Sequence, residues 1–124
     1  VAPLKADWEK SQKEWDEATC SSLAASDGAV DCAAMLTAMQ IQAATINLEV
    51  GAMANPDAKA GYLGAPPDEV AKAYQELADA ARAADTWESN PVECPGKECL
   101  GVAFEFERAW EDLGSAFAAW EPWI

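Results

Sequence analysis

CAAMLTAMQIQAATINLEVGAM, residues 32–53, is the stretch from which the rest of the chain is read. No charged residue falls between Asp31 and Glu49, although the chain as a whole is acidic. Leu36, Met39, Ala43, Ile46, Val50 and Met53 recur at steps of three and four, the period of one helical face. The spacing predicts a helix over residues 30–54. At 3.6 residues per turn, Ala34, Ala38, Ile41, Leu48 and Ala52 fall roughly 140° from that face. A thin polar strip of Thr37, Gln40 and Asn47 separates the two. A helix apolar on two sides either touches two layers of neighbours or presents its second face to a partner or ligand. Ile41 and Leu48 are therefore the first candidate binding residues.

The flanking segments are amphipathic and supply what that helix packs against. Pro3 suits a first helical turn, and Leu4, Trp8, Ser11, Trp15 and Ala18 share a face, giving a helix over residues 3–25 that stops at Ser26-Asp27-Gly28. Glu9 with Lys13 and Lys10 with Glu14 are spaced for i,i+4 pairs on its outer side. Asn55-Pro56-Asp57 ends the second helix, and Gly61, Gly64, Pro66 and Pro67 mark a loop. Tyr62 and Leu63 stand in that loop as an apolar pair, folded over the core or serving as a contact. Val70, Ala73, Tyr74, Leu77, Ala81 and Ala84 carry a third helix over residues 67–88. Ala103, Phe106, Trp110, Leu113, Phe117 and Trp120 form the seam of a fourth, over residues 99–121.

These elements predict a single all-α domain: a four-helix antiparallel, up-down-up-down bundle. Its large side chains, on helices one and four, are expected to face the smaller ones of helices two and three. Such a bundle sets Cys20, Cys32, Cys94 and Cys99 at one end. Pairing Cys20 with Cys32 and Cys94 with Cys99 staples two local loops, worth about 2–3 kcal/mol each on loop-entropy grounds. The other pairings, which would crosslink the two hairpins, stay open. A four-cysteine zinc site competes with disulfides but lacks the close C-x₂-C knuckles of such sites.

Composition narrows function more by exclusion than by motif. Eight basic against 22 acidic residues give a net charge of −14, a field that repels nucleic acid and anionic membrane surfaces and favours a cationic partner. The chain holds no His, and so no Ser-His or Cys-His nucleophile and no histidine-ligated metal. No phosphate loop or hydrolase elbow occurs, and no cofactor is implied. Glu105 with Asp112 and Glu107 with Glu111 are spaced to lie on the solvent side, and Asp27 and Asp31 read as helix caps. No segment is long and apolar enough to span a membrane. An even cysteine count fits an oxidising, extracytoplasmic setting, so the expectation is a secreted or otherwise exported protein. The Ala-, Asp-, Glu- and Trp-rich composition resembles that of high-GC bacterial proteins.

The functional expectation is a non-catalytic binding module for a cationic protein. The candidate contacts are Ile41, Leu48, Tyr62, Leu63 and the helix-end tryptophans Trp87, Trp120 and Trp123. A homodimer seam through helix two is a related reading. One alternative is a carrier holding an apolar small molecule in the bundle interior, lined by Met35, Met39, Ile46, Met53, Phe106 and Phe117. Another is an acidic inhibitor or immunity-type protein.

Overall fold

The computed structural model describes residues 1–124 apart from Pro95 and Lys97. The part of the expected Cys94–Cys99 turn that falls on those two lies outside the described residues. Five helices follow in order: α1 (Ala2–Glu17), α2 (Ser22–Ser26), α3 (Val30–Met53), α4 (Asp68–Ala84) and α5 (Cys99–Ala118), with a closing 3₁₀ turn at Glu121–Trp123. The four long helices form the bundle and α2 is an added corner. Contacts across α1 and α5 run in opposite senses. Lys5 meets Glu121, Trp8 meets Trp110, and Ser22 beyond α1 meets Glu107. Ser11 on Gln42 and Cys20 on Cys32 do the same for α1 and α3.

The core follows the helical periods. Leu36, Met39, Ala43, Ile46 and Val50 of α3 are buried with Ala73, Leu77, Ala81 and Ala84 of α4 and the whole α5 seam from Ala103 to Trp120. Small side chains on α4 let its backbone approach α3 and α5, with which it packs most extensively. Both disulfides form as local staples, Cys20–Cys32 and Cys94–Cys99, leaving no free thiol among the described residues and so no four-thiolate zinc site. Gly96 N–H donates to Ser26 O (3.0 Å), which brings the two stapled loops to the same end of the bundle.

Three departures from the sequence expectation have local causes. Helix one does not run to residue 25, because Thr19 takes a left-handed conformation (φ 55°). Cys20 N–H then donates back to Trp15 O (3.1 Å) and Thr19 N–H to Asp16 O (3.0 Å), a Schellman stop. Ser21 caps the new helix by accepting from Ala24 N–H (3.0 Å). The expected α4 extension to residue 88 stops at Ala84, since α3 offers the chain competing partners. Asn47 Nδ2 donates to Asp85 Oδ2 (2.8 Å), and Gln40 Nε2 donates to Thr86 Oγ1 (2.8 Å) and Asn90 O (3.0 Å). Gln40 Oε1 accepts from Val92 N–H (2.9 Å), so this fully buried amide pins residues 85–92 along α3.

The third departure is that large side chains meet each other across α1 and α5. The Trp8 and Trp110 rings stack at 5.5 Å between centroids. Trp8 Nε1 donates to Trp110 O (3.1 Å), and Trp110 Nε1 donates to Gln12 Oε1 (2.9 Å). Gly114 provides the space, because a Cβ there would overlap the Trp8 indole. The ion pairs of α1 are Lys5 with Glu9 and Lys13 with Glu17, in place of the expected Glu9–Lys13 and Lys10–Glu14 pairs.

Candidate functional site

α3 turns its first apolar face into the core and leaves its second uncovered. Ile41 is 45 % exposed, Leu48 74 % and Val30 69 %, and Ala34 and Ala38 are also at the surface. These positions lie on one side of the helix, with Thr45 between Ile41 and Leu48. The strip carries no charged residue from Cys32 to Leu48, and Asp31 and Glu49 stand at its ends. An apolar helical face left in water is the informative exception in a folded chain, since singly scattered apolar residues are ordinary.

Leu48 is where the sequence-distant candidates converge. On one side it shares a groove with Trp87, Thr45 and Asp85, since the pinned 85–92 segment holds Trp87 beside α3. On the other it shares a cleft with Ala52, Met53, Gly61 and Leu63. Leu63 is placed there by its N–H, which donates to Met53 O (2.8 Å), and it stays 76 % exposed. Tyr62, its neighbour, is exposed at the rim, so this pair does not fold over the core as a plug.

Leu63 also borders a third cleft, at the end of the bundle opposite the disulfides. This one has a volume of about 270 Å³ and is walled by Met53, Pro66, Val70, Tyr74, Trp120 and Trp123. Tyr74 is fixed by donating its hydroxyl to Val50 O (2.6 Å), and burial pushes its pKa above the ordinary phenol value. Trp120 is buried, whereas Trp123 stands edge-on to it at 5.8 Å and is largely exposed. The Trp120 indole N–H has no hydrogen-bond partner among the described residues. An orphaned buried donor costs about 1–3 kcal/mol.

The remaining sequence candidates fall elsewhere. Met39, Ile46, Phe106 and Phe117, expected as walls of an interior ligand cavity, are packed in the core, and of that set Met53 lines the surface clefts. Glu107 departs from its expected solvent-side position because α2 packs beside it. Burial raises its carboxyl pKa, the Ser22 hydroxyl (3.3 Å) opposes the shift, and Glu111 adds to it. It lines none of the three clefts. Among the described residues, no group of three or more His, Cys, Asp or Glu is placed to hold a metal ion. No described helix is long and apolar enough to cross a membrane.

Gln40 and the orphaned Trp120 N–H are among the features that the sequence did not reveal. Gln40 carried a weak signal, an amide in the polar strip of an apolar helix. Trp120 was marked by its place at a helix end, but nothing local signals that its N–H lacks an acceptor. No protein-family model, curated protein or solved structure matches the chain.

Proposed function

We propose that the chain is an exported, non-catalytic binding module that receives a cationic protein on the outer strip of α3, with Ile41 and Leu48 as its anchors. The observation that carries this reading is the exposure of those two side chains on an uncharged helical face of a chain whose net charge is −14. Apolar anchors supply affinity at the centre of such a contact, and the surrounding field steers the partner and raises its on-rate. Trp87 and Leu63, in the grooves on either side of Leu48, widen the contact. Two disulfides fit an oxidising compartment.

A second copy of this chain fits the strip less well than a basic protein does. Each copy carries −14, and pairing them would set like fields against each other. The test is capture from native secretions by the wild-type chain and by an Ile41→Ser/Leu48→Ser variant, with oligomeric state followed by sedimentation. A basic protein retained at low salt, released at high salt and lost with the variant is the expected result. Capture that is unaffected by the variant, or self-association in place of capture, refutes the reading.

A further inference from the structure

The end cleft and the unpartnered indole beside it lie beyond the α3 strip, sharing Met53 and Leu63 with the groove beside Leu48. We infer that they form a separate site for a small apolar molecule bearing one hydrogen-bond acceptor, such as an aryl or short-chain ketone. Three observations converge on this. The wall side chains are largely apolar: Val1, Met53, Leu63, Val70, Ile124 and the two tryptophans surround a volume of about 270 Å³, with the terminal groups of Val1 and Ile124 at its edge. That exceeds the ~150 Å³ apolar cavity that takes benzene and lies near the lower end of small-molecule pockets. The only polar side chain among those walls besides the tryptophans is Tyr74, whose hydroxyl is already committed to Val50 O.

The third observation selects the ligand. Trp120 is 8 % exposed, and its indole N–H is a buried donor with no acceptor among the described residues. Indole donates and cannot accept, so the group that completes the site is a carbonyl or ether oxygen and not an alcohol acting as donor. Trp123 is the movable wall. It is 45 % exposed and stands edge-on to Trp120 at 5.8 Å, and the inferred site requires that it turn aside to admit an acceptor to the N–H. A ketone then exchanges its hydrogen bond to water for one to the indole while its apolar part fills the cleft.

The test is titration of the ¹⁵N-Trp-labelled protein with acetophenone, and with ethylbenzene as the near-isostere lacking the carbonyl. Acetophenone is expected to give a saturable downfield shift of the Trp120 indole N–H, with Trp123 also moving. Ethylbenzene should perturb the same region without that downfield shift. Trp120→Phe should weaken acetophenone about tenfold and ethylbenzene by less than about twofold, the difference expected for one hydrogen bond. Val70→Phe, which fills the cleft without touching the indole donor, should abolish both titrations and serves if the Trp120 variant does not fold. Absence of a saturable shift, equal weakening of the two ligands by Trp120→Phe, or binding that survives Val70→Phe each overturns the inference.

Discussion

Replacing Gly114 by Ala should destabilise the protein, although the substitution normally stabilises a helix. Gly114 lies inside α5, where Gly costs about 1 kcal/mol relative to Ala. Its added Cβ, however, would overlap Cη2 and Cζ2 of Trp8 and come within 3.0 Å of Cε2. The ring has no flexible end to withdraw. Shifting it disturbs the stack on Trp110 and the bond from Trp8 Nε1 to Trp110 O. Overlap with a rigid ring falls in the upper part of the overpacking range, about 2–3 kcal/mol, so after the helix gain the net loss should be about 1–2 kcal/mol. Urea denaturation of a double-mutant cycle measures it. In a Trp8→Leu background the overlap disappears, and Gly114→Ala should then stabilise by up to about 1 kcal/mol. A Gly114→Ala protein as stable as the parent, or the same change in both backgrounds, would refute the seating of Trp8 on this glycine.

Other outcomes follow from single residues. Gln40→Leu leaves the Val92 N–H and Asn90 carbonyl without their side-chain partner. It should cost about 2–3 kcal/mol and show as lost hydrogen-exchange protection at Val92, with α3 amides still protected. Thr19→Gly relieves a left-handed β-branched residue at a Schellman stop, a net gain of about 0.5–1 kcal/mol in chemical denaturation after the extra unfolded-state entropy of Gly. Glu107 has a folded pKa above its ordinary value near 4.5, so the fold binds this proton more tightly than the unfolded chain does. Its contribution to stability therefore falls as pH rises through the raised pKa. Glu107→Gln should raise the thermal midpoint at pH 7, and the gain should vanish at pH below 4.5. A gain that persists in acid would place its origin elsewhere.

What could be read from the sequence were features set by local periodicity. The α3 face from Leu36 to Val50 and the α5 seam from Ala103 to Trp120 were legible because i, i+3 and i+4 spacing alone places them on one side. Putting all four cysteines at one bundle end left three pairings open, of which the structure takes the local one. The exposure of Ile41 and Leu48 was foreshadowed by a second apolar face. Their convergence with Trp87 and Leu63 was not, because it depends on where two loops lie. Thr19 escaped notice since a threonine gives no signal for a positive φ, whereas Gly28 takes the positive φ (108°) expected of it, ending α2 in place of α1. The reach of Gln40 across 46 to 52 positions is a tertiary fact with no local trace.

The disulfides also bear on how the chain reaches its native pairing. Each bridges near neighbours, 12 and 5 positions apart, whereas joining Cys32 to Cys94 would close a far longer loop. Closure entropy grows by about 0.6 kcal/mol with each doubling of loop length, so random encounters in the unfolded chain already favour the native partners. Oxidation therefore need not wait for the bundle to assemble. An isomerase would have few errors to correct, and early oxidation would leave the chain free to assemble its helices with both turns already closed.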